Sequence, residues 1–490
     1  YRTVQGPRAR RRPWGGVAAV TLLGAPDSGG HRVGKRSAHT AGALAALALV
    51  VSVVPVGGAV AWVRFAVAVA LVAAAVLAHE CGPVLAAAAL FAVIALKDGV
   101  LLVEDSFVGL FHVVLAGAVL AALVRSARGG APRRLRLEGL EWALGLVPVA
   151  ALLSIPTSLA AGTSALYAAR MTMLWVSALV VSRSLDEPWG LRVATAAFVG
   201  AATAVAVIGL AQWAIPGFSI GTVFGSGGSE PIRPAGFYID PNFYATHLTL
   251  ASLAALWLAG SVRRWWVPVS AAVLMLAVVG LTLSRAAWVA LAVGLAVLVA
   301  IGNRRVRIAV AGAAATAAAG AVVLLGPGAA LARLTSVFDV SGNASNATRL
   351  LMTRSSIAMI ADRPVFGTGL EAFGLAYPGY ALPGAQAGVT HPHQVPLAFV
   401  AETGVVGLIA LVTVLVVGAL ALRAVGRSPS GVGGALAACM LAVVVGSLFQ
   451  YFLYYEVAWL LAGLLMAAAR VARRQAGSDG ADVLSQTVGA

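Results

Sequence analysis

Apolar runs long enough to cross a bilayer follow one another along most of this chain, separated by short polar or basic connections. Because a helix needs about 20 mostly apolar residues to cross the hydrocarbon core, the pattern predicts about 12–14 transmembrane helices. Fourteen spans can be placed, and the region 41–124 could hold one fewer, since Pro55, Gly57 and Arg64 interrupt it. The predicted spans are residues 41–57, 60–78, 82–97, 105–124, 140–156, 165–182, 192–214, 242–260, 265–282, 286–302, 307–325, 396–421, 432–451 and 455–471.

The pattern predicts an all-α polytopic membrane protein in five parts. Residues 1–40 are rich in Arg, Gly and Pro and predict a disordered basic tail. An N-terminal helix bundle over 41–325 is followed by a loop with short helices over 326–395, then by C-terminal spans over 396–471 and a tail over 472–490. Loops as long as 326–395 are usually functional or disordered.

Composition supports a membrane protein and excludes a soluble one. Hydrophobic residues make up 60% of the chain and charged residues 11%, whereas soluble globular proteins have roughly 25% charged residues. The surface of such a chain must therefore contact lipid. The two cysteines give neither a disulfide framework nor metal-ligand spacing.

The net charge of +16 is explained by membrane topology rather than by a nucleic-acid partner. Most of the 34 basic residues fall in segments that lie on one side if the spans alternate, as the positive-inside rule requires of cytoplasmic loops. Both termini are then cytoplasmic, and 215–241 and 326–395 are extracytoplasmic. The predicted cytoplasmic segments are 1–40, 125–139, 183–192, 261–264, 302–307, 422–431 and the C-terminal tail.

A smaller group of arginines falls in the predicted outer segments, where topology disfavours positive charge. Guanidinium groups bind phosphate oxygens bidentately, so an anionic ligand is one explanation. Pairing with Asp339, Asp362, Glu371 or Glu402, or snorkelling to lipid headgroups, is the other. Charge at the edge between two spans, as at Arg285, is costly and usually functional. The outer arginines are Arg233, Arg285, Arg333, Arg349, Arg354 and Arg363.

Two further outer features bear on chemistry. His391-Pro-His393 has three interpretations: a metal pair without a third ligand, a neutral base for a sugar hydroxyl, or surface histidines without chemistry. Asp240-Pro-Asn242 predicts a turn followed by a helix start, and Tyr238 before it predicts a sugar-stacking or interfacial aromatic residue. Residues 347–361 predict an amphipathic helix whose apolar side carries Leu350, Leu351, Ile357, Ala358 and Ile360.

Four segments between about Arg233 and Leu408 resemble the superfamily of O-antigen ligases and O-antigen polymerases, which are bacterial polytopic membrane glycosyltransferases. Gln394 stands where the family usually has Asn, and Thr353 where an aromatic residue is common. The segments are Arg233-Pro-Ala-Gly-Phe-Tyr-Ile-Asp-Pro-Asn242, Leu281-Thr-Leu-Ser-Arg285, Arg349 followed by Asp362-Arg-Pro-Val-Phe-Gly-Thr-Gly-Leu-Glu-Ala-Phe373, and His391-Pro-His-Gln-Val-Pro-Leu397 with Ala401-Glu-Thr-Gly-Val-Val-Gly407.

The resemblance implies a GT-C-like fold and a metal-independent, cofactor-free, inverting glycosyl transfer at the outer face of the cytoplasmic membrane. The donor is a glycan on a polyprenyl diphosphate, and the acceptor is a glycan, a lipid-linked glycan or a protein hydroxyl. Arg285 and Arg349 would bind the diphosphate, and His393 would orient or deprotonate the acceptor. The secondary candidates for substrate binding are Arg233, Arg354, Arg363, His391, Glu402, Asn242 and Tyr238.

Two other classes of protein fit the hydrophobic pattern. A lipid-linked glycan flippase or other secondary transporter would show internal repeats and charges near the middle of the membrane. We find no internal repeat, and the mid-span charges are Arg64 and Arg170. A non-enzymatic scaffold would leave the outer arginines and histidines without a role.

Overall fold

The computed structural model describes residues 39–48, 59–96, 109–128, 137–218, 220–225, 232–325, 328, 344–386, 388–426 and 431–488. The tail predicted over 1–40 therefore lies almost wholly outside the described residues, as do Asp339 and most of the first part of the predicted 326–395 loop.

The described chain is almost entirely helical, as the apolar pattern predicts. Two-residue strands β1 (Val223–Phe224) and β2 (Arg233–Pro234) pair antiparallel, with Phe224 opposite Arg233. The helices are α1 (His39–Ala48), α2 (Ala59–Ala78), α3 (Gly82–Val93), α4 (Leu110–Arg128), α5 (Leu140–Leu153), α6 (Ala161–Ser184), α7 (Pro188–Ala214), α8 (Pro241–Ala259), α9 (Trp266–Leu281), α10 (Arg285–Ile301), α11 (Arg304–Leu325), α12 (Ala344–Asp362), α13 (Phe373–Ala376), α14 (Val395–Val425), α15 (Gly433–Gly446) and α16 (Glu456–Val488).

Within the described residues, six helical segments are both long and apolar enough to cross a membrane alone. Five shorter apolar helical segments accompany them. The chain is therefore a multi-pass membrane protein. The six segments are Ala61–Ala78, Leu110–Arg128, Leu140–Thr157, Ala161–Ser184, Pro188–Ala214 and Val395–Val425.

Helix α8 coincides with a predicted span but is less apolar than these six because it lies at the centre of the bundle. It packs against α7, α9, α10 and α15, and almost all of its residues are buried. Thr246 and Ser252 donate to backbone carbonyls of the same helix. Polar side chains are tolerated there because they meet protein rather than lipid.

Segments predicted to be cytoplasmic meet at one end of the bundle, which we call the inner end. The buried carboxylate of Glu141 pairs with Arg183 and Arg470 and accepts a hydrogen bond from Ser182 at 2.8 Å. Nearby, Arg473 pairs with Glu138 at 3.1 Å. These contacts join the start of α5, with Glu138 just before it, and the end of α6 to α16. The grouping agrees with the positive-inside pattern, while the assignment of this end to the cytoplasm stays a prediction.

Segments predicted to be extracytoplasmic meet at the opposite, outer end. Arg233 Nε donates to Thr282 O at 2.8 Å, and Ser164 Oγ donates to Leu370 O at 2.6 Å. The backbone N–H of Val395 donates to Ser447 O at 2.8 Å. The contact between Ser164 and Leu370 joins residues that are 206 positions apart in the sequence.

The Pro364–Gly369 segment, here called the glycine loop, inserts into a break in helix α14. Gly404 has φ 66° and ψ −154° and interrupts the helix. The backbone N–H of Val405 donates to Pro364 O at 2.8 Å, and that of Gly369 donates to Glu402 O at 2.9 Å. A Cβ at Gly404 would lie 2.2 Å from Val365 O. Glycine at Gly404 is thus required both by the backbone angle and by close contact.

We expect Gly404→Ala to lower the free energy of unfolding by about 2–4 kcal/mol, from the strained backbone angle and the steric overlap together. Thermal unfolding of the purified protein in detergent measures this. Gly200→Ala in α7 is the matched control, because nothing lies within 4 Å of its added Cβ. Equal unfolding temperatures for the two variants would contradict the role assigned to this joint.

Candidate functional site

Helix α12 turns Arg349 toward the bundle and presents its predicted apolar side to the outside. Met352, Ser356 and Met359 are buried at helical spacing from Arg349, which is itself partly buried. Leu350 is 47% exposed and Ile357 is 56% exposed. The helix is thus confirmed, and part of its apolar side is exposed because small serines and flexible methionines fill the protein-facing side.

The other two arginines of this region lie away from Arg349. Arg354 is exposed, since five residues place it about 140° around the helix from Arg349. No hydrogen bond or ion pair joins Arg354 to the rest of the described chain. Arg363 follows α12 and its Nη1 donates to Thr157 O at 3.4 Å. Arg354 is thus a surface residue and Arg363 borders the glycine loop, and substrate binding by either one stays a prediction.

Arg285 is the first residue of α10, at the outer end. Ser284 caps this helix by accepting from Ala287 N at 3.4 Å, and Gln450 Nε2 donates to Ser284 Oγ at 3.4 Å. A cation at a helix N-terminus is opposed by the helix dipole, whereas an anion there is favoured. The placement of Arg285 is therefore one that a bound anion would stabilise.

Arg285, Arg349 and His393, far apart in sequence, lie close enough for their charges to interact. Burial, and then the nearby positive charge of Arg285, lowers the pKa of Arg349. Burial, and then the charge of Arg349, lowers the pKa of His393, which the charge of Asp240 opposes. At neutral pH His393 is accordingly a neutral imidazole near the guanidinium of Arg349, which in turn lies near that of Arg285. Part of its side chain is exposed at the surface of the protein.

A set of ring contacts fixes the orientation of the two histidines. The ring of His391 stacks on Tyr451 with centroids 4.7 Å apart and an interplanar angle of 11°. The His393 ring stands edge-on to that of His391 at 4.5 Å. Tyr451 donates its hydroxyl to Glu371 Oε1 at 3.3 Å. Burial, and then the adjacent His393, lowers the pKa of His391 to about 4, so His391 is neutral as well.

Backbone strain is concentrated in the same place. Among the described residues, the non-glycine residues with a left-handed φ are Leu283 (56°), Glu371 (60°) and His393 (55°). Leu283 lies two residues before Arg285, and Glu371 contacts Tyr451. Such conformations cost of order 1–3 kcal/mol each and cluster at functional sites. The three strained residues therefore mark this part of the outer end as a candidate functional site.

Arg233 and Asn242 form a polar frame beside the cluster. Arg233 donates to Thr282 O, as described, and its Nη2 lies 3.4 Å from Asn242 Oδ1. Asp240 Oδ1 accepts from the backbone N–H of Asn242 at 2.6 Å and so caps α8, as the Asp-Pro-Asn pattern predicts. Arg233 thus connects the start of α8 to the turn that precedes Arg285.

Two of the secondary candidates have packing roles instead. Tyr238 is 1% exposed, and its hydroxyl contacts His247 Nδ1 at 2.7 Å, so no face of its ring is open to a sugar. Glu402 is also 1% exposed, and its Oε1 accepts from Phe373 N at 3.2 Å. Glu402 therefore holds the segment beside Glu371 against α14.

The two departures from the family pattern contact each other. Gln394 Nε2 donates to Thr353 Oγ1 at 3.4 Å. This hydrogen bond joins the residue after His393 to the helix that carries Arg349. The longer amide at Gln394 and the smaller side chain at Thr353 are therefore compatible substitutions.

Sequence reasoning missed Glu371, Tyr451 and Asp240 as members of the site. From the sequence, Glu371 is predicted only as a possible ion-pair partner of an arginine, and Asp240 only as a turn residue. The signal for Tyr451 was the Tyr-Phe-Leu-Tyr-Tyr-Glu run from 451 to 456, a dense aromatic segment next to a span. Among the described residues, no three His, Cys, Asp or Glu side chains are grouped as metal ligands.

Residues 270–412 match the family model described as O-antigen ligase. The matched segment includes Arg285, Arg349, the glycine loop, His393 and Gly404. No curated protein matches the chain. Over these residues, 143 of the 490 in the chain, the match supports the superfamily of O-antigen ligases and polymerases that the motifs resemble.

Proposed function

We propose that this protein is a metal-independent, inverting glycosyltransferase that takes a glycan from a polyprenyl diphosphate at the outer face of the cytoplasmic membrane. The observation that carries the proposal is the convergence of Arg285, Arg349 and the neutral His393 at one end of the bundle. Two guanidinium groups side by side suit a diphosphate, and a neutral imidazole beside them suits a hydroxyl proton.

In the proposed reaction the acceptor oxygen attacks the anomeric carbon from the side opposite the diphosphate. The new carbon–oxygen bond forms as the bond to the diphosphate breaks, and its electron pair leaves on the diphosphate oxygen. The hydroxyl proton passes to the imidazole of His393. This single displacement inverts the configuration of the anomeric carbon.

Each side chain then has a distinct role. Arg285 and Arg349 stabilise the negative charge that develops on the leaving group, which is usually the largest catalytic term. His393 accepts the proton, while His391, Tyr451 and Glu371 hold its ring in place. Arg233 and Asn242 position the turn before Arg285. The acceptor is a glycan, a lipid-linked glycan or a protein hydroxyl.

Mass spectrometry of polyprenyl-linked intermediates in a deletion strain tests the proposal. We expect the donor to accumulate: full-length glycan on the lipid indicates a ligase, and single repeat units indicate a polymerase. The purified protein should remain active in excess EDTA. A strain with unchanged intermediates, or EDTA inhibition that Mg²⁺ or Mn²⁺ reverses, would contradict the proposal or its metal independence, respectively.

Asp240→Asn should move the acid limb of the activity profile to lower pH. A base must be neutral to act, so activity rises with pH through the pKa of His393. The charge of Asp240 raises that pKa, and its removal lowers it. Asparagine also caps helices well, so α8 should persist. Glu187→Gln, an exposed change at the inner end, should leave the limb in place; an equal shift in both variants would contradict the assignment.

A further inference from the structure

Arg170 is a charged residue of the helix bundle that the proposed reaction leaves without a role. It lies in α6, within one of the segments that are long and apolar enough to cross a membrane. Along that helix it is six residues, about 9 Å, deeper than Ser164, whose hydroxyl contacts Leu370 at the outer end. A charge within a membrane-spanning helix is costly, usually paired and usually functional.

The start of α16 supplies Arg170 with an acidic partner and an aromatic one. Nη2 of Arg170 lies 3.3 Å from Glu456 Oε1, and its Cζ lies 5.2 Å from the centroid of the Tyr454 ring. Glu456 is 4% exposed, so each charge of the pair needs the other. A packing role for Arg170 would require no more than this ion pair.

Arg170 also acts on Glu371, the strained residue beside the two histidines. Burial raises the pKa of Glu371, whereas hydrogen bonds from Tyr451 and Tyr454 and the positive charge of Arg170 lower it. Arg170 therefore favours the ionised carboxylate, which is the better acceptor for both hydroxyls. Of the charged and titratable groups near Glu371, Arg170 is the cation, and the others are Tyr167, Glu402, Tyr451 and Tyr454.

Tyr451 connects Glu371 to the two histidines. Its hydroxyl donates to Glu371 Oε1 at 3.3 Å, and its ring stacks on that of His391, which contacts His393 edge-on. The Tyr454 ring stands at 72° to that of Tyr451, with centroids 5.9 Å apart. A continuous series of contacts therefore runs from the membrane-spanning region to the base of the proposed reaction.

We propose that Arg170 is a positioning residue for glycan transfer, which holds Glu371 and Tyr451 and, through them, the histidine pair. The inference rests on the proposed function, since it takes His393 as the base. In this role Arg170 contacts neither donor nor acceptor. Its loss should therefore lower the rate of transfer and leave the affinity for the donor unchanged.

The kinetics of a charge-neutral variant test the proposal. Arg170→Met combined with Glu456→Gln removes the ion pair without leaving a buried carboxylate unpaired. We expect kcat to fall roughly ten-fold with an unchanged KM for the donor, a loss within the range for residues of one network. Arg170→Lys, which keeps the charge, should retain most of the rate. Arg64→Met in α2, the other charge within a predicted span, is the matched control and should retain full activity.

The same variant combined with Glu371→Gln shows whether Arg170 acts through that carboxylate. Without the carboxylate, neutralising the pair should lower kcat little further, because the interaction it removes is already absent. An equal ten-fold loss with and without Glu371→Gln would mean that Arg170 acts through packing alone, and it would overturn the proposal. Full activity of the charge-neutral variant would overturn it as well.

A spectroscopic measurement tests the series of contacts without a reaction. 3-Fluorotyrosine at position 451 reports its surroundings through the ¹⁹F resonance of the purified protein in detergent. We expect the charge-neutral variant to shift this resonance and Arg64→Met to leave it in place. If the resonance shifts but the wild type transfers no glycan, the proposed function fails and the contacts stand. If the wild type transfers glycan and the resonance does not shift, the positioning role alone fails.

Discussion

Arg349→Ala is expected to lower the rate of glycan transfer by about 10²–10³-fold, the usual loss when one stabilising donor is removed from a transition state. The side chain is partly buried beside Arg285, so its positive charge acts in a medium that screens it less than water does. A leaving diphosphate would gain most from that charge as its bond to the sugar breaks. Turnover of labelled donor by the purified variant measures the loss.

The same helix provides the matched control. Arg354→Ala removes an identical side chain from the exposed side of α12, five residues further along. It should retain nearly full activity. Arg349→Lys should be intermediate, because an ammonium keeps the charge but not the bidentate geometry. Equal losses at Arg349 and Arg354, with normal unfolding temperatures, would contradict a specific role for Arg349.

His393→Ala should lower transfer by about 10²–10⁴-fold, the range for loss of a general base. The strained backbone of His393 and its edge-on contact with His391 hold the imidazole ring in one orientation. Fixing the ring has an entropic cost that a histidine without a function would not need. The remaining activity should no longer fall at acid pH, because the titrating base is absent. Added imidazole should restore part of the rate.

Loss of the acid limb distinguishes a base from a packing residue. A merely structural role for His393 would lower activity while leaving the shape of the pH profile unchanged. It would also lower the unfolding temperature, and imidazole would have no effect. Either result would remove His393 from the proposed reaction.

The sequence was sufficient to predict the class of fold and the side chains that converge. The distribution of basic residues predicted which connections between spans share one side of the membrane. The predicted inner segments do meet around Glu141. Arg285, Arg349 and His393 were identifiable because charge and motif marked them in apolar surroundings. Runs of apolar residues predict helices well where lipid surrounds them. In lipid, side chains must be apolar and backbone groups must be hydrogen-bonded within the segment itself.

The features that could not be predicted from the sequence depend on which protein surface a side chain contacts. Tyr238 is aromatic and lies beside a motif, but neighbouring helices enclose it. Helix α12 packs through serines and methionines and exposes Leu350 and Ile357, so its hydrophobic pattern does not predict which side contacts the protein. The left-handed φ of Glu371 lies two residues after the glycine loop, which docks against a broken helix through long-range contacts that no local pattern in the sequence encodes.

The glycine motifs and the arginines of this domain have different physical tasks. Gly367 and Gly404 allow the glycine loop and the break in α14 to approach so closely that any Cβ would overlap, and a Cβ at Gly369 would overlap Ser158. The joint they form lies next to Glu371 and Glu402 and sets the positions of both. The side chains of Arg285, Arg349 and His393, in contrast, are at least partly exposed, and their charges act on one another. Substitutions in the first group should change stability, and those in the second should change rate.

The most direct measurement follows both halves of a labelled donor in liposomes that contain the purified protein. One label is on the glycan and the other on the polyprenyl diphosphate, and an acceptor is present. The proposed reaction predicts that sugar-free polyprenyl diphosphate appears in equal amount to transferred glycan, with wild type and Arg354→Ala alike but not with Arg349→Ala. Intact donor that crosses the bilayer with both labels still joined, and no release of diphosphate, would contradict the account and favour a flippase.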